Sequence, residues 1–253
     1  MIKVHPTDAM LHAYVAGDLN SASGLVISTH IDMCPHCNRV AHEIEQELSN
    51  EAFSSTESSF DDADMQLMME AIFSSPPPDT PFSESDDEFS DFTYLSDSTD
   101  PALNRSAKQD SFPAPSIADN MIYLEGKRFE LPRSLANQIH RIGPWYKMMG
   151  NMWRATIHLG TEAAANLIYM DRMATLPEHT HKGTEIQLVL SGSFSDEYGT
   201  YANGDLLVLD HTHQHAPHTA DEDCLILAVM DGPLQFTSGI SRILNPFSSL
   251  FYR

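Results

Sequence analysis

Residues 176–192 read LPEHTHKGTEIQLVLSG, and how that stretch folds decides the C-terminal half of the chain. It contains H-x-H-x3-E-x6-G, with His179, His181, Glu185 and Gly192 in the named places. On a strand, side chains two apart face the same way, so His179 and His181 both point inward. Glu185 lies at the start of the next apolar run, Ile186 to Leu190, and can return to the same pocket. Downstream, Gly204 and Asp205 precede the run Leu206 to Leu209, after which histidines crowd at positions His211, His213, His215 and His218. A single strand histidine is more often packed or solvated than a ligand. Two histidines and a glutamate at this spacing, with a turn glycine and a second histidine cluster one hairpin later, point instead to a metal. Three nitrogens and one carboxylate suit zinc, and Fe(II), Mn(II) and Ni(II) fit as well.

Working outward, Leu167 to Met170 and Leu225 to Met230 join those two runs as strand-length segments separated by Gly, Asn and Asp. From about Met121 onward this predicts an all-β barrel or sandwich. Asp196 and Glu197 fall in a predicted turn and read as solvated charges.

The N-terminal fifty residues follow a different period. Met10, Leu11, Tyr14 and Val15 predict one short helix, and Leu25, Val26 and Thr29 another. A third starts at Pro35, a residue suited to a first turn, and carries Val40, Ile44 and Leu48 on one stripe. Between the second and third lies H-x3-C-x2-C at His30, Cys34 and Cys37. A turn there brings one imidazole and two thiolates together, a structural zinc site in need of a fourth ligand. The candidates are His5, His12, His36 and His42. His5 is favoured because an N-terminal segment can fold back over the knot, whereas His36 sits between the cysteines and splays outward. A redox-active C-x2-C, or two buried cysteines beside an unrelated histidine, are the competing readings. A module this small gains most from a metal staple.

Between Glu51 and Asp100 there is no Lys or Arg, Ser and acidic residues dominate, and Pro76, Pro77 and Pro78 run together. Such a stretch buries too little apolar surface to offset its ordering entropy. One part differs: Met65, Met68, Met69, Ile72 and Phe73 share a helical face behind Asp61, Asp62 and Asp64, which predicts a fourth helix. The whole chain has 36 acidic and 14 basic residues, a formal charge of -22. That argues against direct nucleic-acid binding, which needs clustered cations, and is compatible with a basic protein partner. The opening residues contain no apolar core of a secretory signal, no segment is long enough to span a bilayer, and three cysteines fit a reducing cytoplasm better than a disulfide framework.

His30, Cys34 and Cys37 with upstream His5, in the context HPTDAMLHAYVAGDL…THIDMCPHC, resemble the zinc-binding anti-sigma factors, and the ChrR family specifically. The motif at His179, His181 and Glu185, with its downstream histidines, resembles the two metal motifs of the cupin superfamily and the cupin-like domain of ChrR proteins. The resemblance implies metal ligands at His5, His30, Cys34 and Cys37 and, in the second site, at His179, His181, Glu185 and His215. The last match is looser: Asp210, His211 and Thr212 replace the family's Pro-x-Gly, so His211 or His213 are alternatives. The implied architecture is a small all-α zinc-binding anti-sigma domain over residues 1–75, an acidic linker over 76–120, and an all-β cupin (jelly-roll) barrel over 121–253. The implied function is sequestration of an extracytoplasmic-function sigma factor, with Asp62 to Phe73 contributing to the clamp. Release would follow when the metal-binding cupin receives a signal, oxidative stress being the one that the family suggests. The alternatives are a metal-dependent cupin oxygenase or isomerase bearing a zinc interaction domain, and a cupin acting only as a structural or small-molecule-binding module.

Overall fold

The computed structural model describes residues 1–54, 62–74, 120–160, 164–239 and 245. The expected acidic linker lies outside the described residues, apart from Asn120. Helix α1 (Asp8–Val15) is capped by the Thr7 hydroxyl, which accepts from the Met10 N–H. Helix α2 (Ser21–Met33) is capped by Asn20, whose side-chain oxygen accepts from Ala22 and Ser23. Both satisfy amide groups that a helix start leaves without partners. Cys34 alone, in extended conformation, separates α2 from α3 (Pro35–Ser54), so the chain reverses over the width of one residue. Helix α4 (Asp62–Ser74) forms where the apolar spacing predicts it.

The β region opens with the hairpin β1 (Met121–Leu124) and β2 (Lys127–Glu130), turned by Glu125 and Gly126, both at positive φ as a two-residue turn requires. The short helix α5 (Arg133–Ala136) and a 3-10 turn at Ile139–Arg141 follow. Then come β3 (Tyr146–Lys147), β4 (Met152–Ile157), β5 (Ala164–Met170), β6 (His179–His181), β7 (Glu185–Ser195), β8 (Thr200–Ala202), β9 (Leu206–Leu209), β10 (Cys224–Met230) and β11 (Leu234–Phe236). The main antiparallel sheet runs β3-β4-β5-β10-β7-β8, with β9 on the first half of β7 and β8 on its last residues.

The expectation of an all-β barrel is corrected here: among the described residues the sheet does not close. Strand β3 ends one edge, β8 and β9 share the other, and β6 pairs with β11 in a separate two-stranded ribbon. Prolines explain the break. Pro177, Pro217 and Pro233 flank the histidine-bearing segments and offer only carbonyls, to Leu176 and Lys182 among others, so no continuous ladder can cross there. The ribbon is tied instead by bridges such as His179 with His215.

Strand β10 is buried at all seven positions. Its alternate residues enter two different cores. Leu225, Leu227 and Val229 pack with Leu135, Tyr169 and Leu188 and with the helix residues Leu11, Val26, Ile27 and Ile44. Ile226, Ala228 and Met230 pack on the opposite face with Met152, Met170, Val189 and Phe194. The N-terminal helices therefore cover one face of the sheet, and residues Met1–Ser49 and Asp110–Arg253 form one compact unit. Asp32 of α2 adds a polar tie, accepting from the Ser134 N–H at the start of α5 at 2.6 Å. At the sheet's end, Gly192 has φ +76, and a Cβ there would lie 1.8 Å from the Asp223 carbonyl, so only glycine allows β7 to approach the entry of β10.

Helix α4 belongs to a second unit, Asn50–Gln109. Its Met65, Leu67, Met68, Met69, Ile72 and Phe73 are all exposed. Among the described residues, no helix is long and apolar enough to cross a membrane.

Because helices and sheet share a core, Ile27→Ala, at a fully buried site, should cost about 2–5 kcal/mol. The only two tryptophans, Trp145 and Trp153, lie in the β region. Their fluorescence should therefore report the lowered melting temperature together with the helical circular dichroism signal. A helical transition that moves while the tryptophan transition stays would contradict the shared core.

Candidate metal centres

The first cluster forms where α2 meets α3. His30 closes the last turn of α2, Cys34 is the hinge, and Cys37 lies one turn into α3. The Cys34 thiol also accepts from the Cys37 N–H at 3.5 Å, which holds the two sulfurs on one side of the turn. His5 comes from the segment before α1. His30 Nε2 lies 3.3 Å from Cys37 Sγ, and His5 Nδ1 lies 3.5 Å from Cys34 Sγ and 3.4 Å from Cys37 Sγ. A tetrahedral ion with metal–sulfur bonds near 2.3 Å and metal–nitrogen bonds near 2.0 Å sets sulfur–nitrogen edges of about 3.5 Å. These three edges match that figure, and all four donor atoms lie within 4.8 Å of one another. His36, by contrast, is exposed, its ring packed edge-on to His5, and His42 pairs with Glu45 on the surface of α3.

The electrostatics fit a cation. Burial pushes the His30 imidazole down to about 4, so it is neutral and ready to ligate. Burial first, and then the neighbouring Cys34, pushes the Cys37 thiol up to about 12, so a thiolate forms there only with a strong positive charge beside it. His30 Nδ1, on the far side of the ring, is buried without a well-formed hydrogen bond and faces the backbone of Gly204.

The second cluster lies beside the open end of the main sheet. His179 and His181 on β6 are both buried with Thr180 turned outward, as the two-residue period demands. His215 Nε2 lies 3.1 Å from His179 Nε2 and 3.2 Å from His181 Nε2. All three converge through the same ring atom. Their outer nitrogens are oriented by acceptors: His179 Nδ1 by the Pro177 carbonyl at 2.8 Å, and His215 Nδ1 by Asp196 Oδ2 at 3.0 Å. Such partners fix tautomer and ring angle in metal-binding histidines. Burial lowers His179 to about 3 and His181 to about 4.

Glu185 is fully buried beside this group but does not join the converging atoms. Its Oε2 is 3.1 Å from His181 Nδ1, out of line for a hydrogen bond, and both atoms have no other partner. Burial raises its carboxyl above the ordinary range, with Gln187 and His215 opposing. Of the alternative histidines, His213 is held by Asp210 at 2.9 Å near the surface, and His211 uses its carbonyl to accept from Thr180; neither reaches the cluster. A narrow cavity of about 30 Å³, room for roughly two waters, adjoins the cluster. His179 and Glu185 line it together with Met148, Met152, Met170 and Met230.

Asp196 is the functional residue that sequence reasoning missed. It is no solvated charge: its side chain is wholly buried, with Oδ2 on His215 and Oδ1 accepting from the Tyr198 and Gly199 N–H groups. A short Asp-x-x-Gly turn after a strand is visible in sequence, but nothing in it points toward a histidine nineteen residues on. Glu197 is exposed and accepts from the Ala216 N–H, which steadies the same loop.

Comparison with known proteins follows this geometry. Residues 138–235 match the family described as ChrR Cupin-like domain. Anti-sigma-E factor ChrR of Cereibacter sphaeroides is 29% identical over 251 residues, covering 97% of this chain and 98% of that protein. The crystal structure of Rhodobacter sphaeroides SigE in complex with the anti-sigma ChrR is similar with a TM-score of 0.59 and 23% identity, covering 91% of this chain and 100% of that chain. An RmlC-like cupin protein from Ralstonia eutropha is similar at TM-score 0.34 and 16% identity over 44% of this chain and 85% of that one.

Three imidazoles held neutral in the fold set a pH dependence for the metal-stripped protein. His30, His179 and His181 have folded values near 4, 3 and 4 against an ordinary 6.5. The unfolded chain therefore binds more protons between those limits. Stability should be full above about 6.5 and fall as the pH drops through that window toward about 4. Urea melts at pH 7.5, 6 and 5 check this; a midpoint independent of pH would refute it.

Proposed function

We infer that the chain is a member of the ChrR family of anti-sigma factors, with a cupin-like domain and a metal-binding motif near the N-terminus. From that premise we propose that it sequesters an extracytoplasmic-function sigma factor through its N-terminal helices and releases it when the cupin-like domain receives a signal. The observation that carries the reading is the end-to-end likeness to one anti-sigma factor, which spans both the helical knot and the cupin-like region.

Zinc is the ion proposed for His5, His30, Cys34 and Cys37, because two thiolates and two imidazoles form its closed structural site. When bound, it supplies a cross-link among α2, α3 and the N-terminal segment. With four protein ligands it keeps no open position, so its work is to hold the helices rather than to react. The proposed second site uses His179, His181 and His215, with Glu185 as fourth ligand. The buried, unpartnered Glu185 Oε2 supports a cation nearby, since such an oxygen is otherwise costly; to ligate, the carboxylate turns from His181 Nδ1 toward the converging Nε2 atoms. Zinc, Fe(II), Mn(II) and Ni(II) all suit the donors. Such an ion provides the natural contact point for an oxidant, the class of signal proposed.

Helix α4 supports the partner reading. Its exposed Leu67, Met68, Ile72 and Phe73 form an apolar surface adapted to a partner's groove. The charge of -22 suits a basic partner. The proposed place of action is the cytoplasm, where sigma factors work.

Co-purification of the intact chain with its sigma factor tests this directly. Cys34→Ala together with Cys37→Ala should remove the N-terminal metal and abolish co-purification. Ile72→Asp with Phe73→Asp should weaken binding by more than about tenfold while leaving the fold intact. Retention of the sigma factor by the double cysteine variant would count against zinc as organiser. Unchanged affinity in the α4 variant would remove that helix from the clamp.

A further inference from the structure

Three of the four donors in the helical knot are placed by helix geometry: His30, Cys34 and Cys37 lie within eight residues of one another around a single turn. His5 is different. It sits in a strap, residues 2–6, that precedes α1 and has no helix to fix it. Its holder is the cupin-like region. The Asp205 carboxylate, 1% exposed, accepts from the Lys3 N–H at 2.6 Å and from the Val4 N–H at 3.0 Å through the same oxygen, Oδ1. Its other oxygen accepts from the Ala202 N–H at 3.0 Å, which anchors the carboxylate to the turn between β8 and β9. The strap answers with a backbone bond of its own: the Leu206 N–H donates to the Val4 carbonyl at 3.0 Å. Beside it, the Ile2 side chain presses on Gly204, where a Cβ would lie 2.4 Å from Ile2 Cδ1. The same Gly204 backbone faces the outer nitrogen of His30.

We propose that Asp205 is a positioning residue for the helical metal centre, fixing the strap so that His5 reaches Cys34 and Cys37. This deepens the zinc reading above and rests on it. Two amides converging on one buried carboxylate oxygen are charge-assisted hydrogen bonds, the strong kind. They leave the strap little freedom immediately before the ligand. The knot is therefore complete only while the helices are docked on the sheet: undocking removes the support of His5 and leaves three ligands with an open coordination position. Strand β9, which begins at Leu206, pairs Leu209 with Glu185 and leads into the loop that carries His215. One short strand thus borders both clusters.

Cobalt(II) bound to the full-length protein tests the idea, because thiolate-to-cobalt absorption reports only the Cys34 and Cys37 site; the second cluster has no sulfur. Affinity is read by chelator competition and ligand number by the intensity and position of the visible cobalt bands. Asp205→Ala should keep the thiolate absorption, shift the visible bands as His5→Ala does, and weaken binding by about 10–100-fold. Combined with His5→Ala it should add no further loss, since both remove the same ligand. Asp205→Asn, which retains an oxygen acceptor for Lys3 and Val4, should restore most of the affinity. Deleting residues 2–4 leaves every helix and strand untouched and should reproduce the Asp205→Ala spectrum, which keeps the test decisive if that variant fails to fold. Wild-type bands and affinity in the deletion, or additive losses in the double variant, would overturn the role of Asp205. Absence of any thiolate absorption in the wild-type protein would overturn the zinc reading itself, and this proposal with it.

Discussion

Strand β10 is buried on both faces along its full length, and the arrangement of the whole unit follows from that constraint. A strand with seven buried side chains needs a cover above and below, because either face left open would expose leucine, isoleucine and valine to water. One cover comes from the inner side chains around Met152, Phe194 and Phe236. The other is α2 with its neighbours, whose Val26 and Ile27 complete the core beneath Leu225, Leu227 and Val229. The N-terminal helices are thus part of the sheet's own interior, and the turn that carries Cys34 is seated where the sheet fixes it.

Both clusters capable of holding a metal gain their character from burial. Removed from water, the His30, His179 and His181 imidazoles stay neutral, which suits them to ligate rather than to act as cations. A buried thiol resists ionisation until a cation arrives beside it. Around the second cluster the chain supplies oriented acceptors, Asp196 from distant sequence for His215 and the nearby Pro177 carbonyl for His179. The surrounding charge is strongly negative, yet the carboxylates that position the clusters are the buried Asp196 and Asp205, each held by named hydrogen bonds. Lys127 follows the same logic, tying the β1–β2 hairpin to the sheet through Asp223 and the buried Tyr169 hydroxyl.

The local periods were legible. Helices α1 to α4 and strands β5, β7, β9 and β10 lie where apolar spacing places them, and the inward pair His179 and His181 follows from a period of two. The open sheet was not legible. Strand-length runs at even intervals read as a barrel, whereas closure depends on whether edge strands present unbroken donors, and the prolines at 177, 217 and 233 withhold them. Asp196 was read as a solvated charge because turn position says nothing of what lies across the turn.

By itself the sequence determined the spacing of the candidate donors: H-x3-C-x2-C and H-x-H set histidines and cysteines at intervals that one turn and one strand convert into shared faces. His5 and His215 were already preferred in sequence, but their meeting with the other donors and the joining of helices to sheet were decided only in three dimensions. Each depends on groups brought together across long loops, as when Asp205 meets Lys3 and Val4 two hundred residues away. A local period cannot encode such a meeting, because the free energy that holds it arises from burial completed elsewhere in the fold.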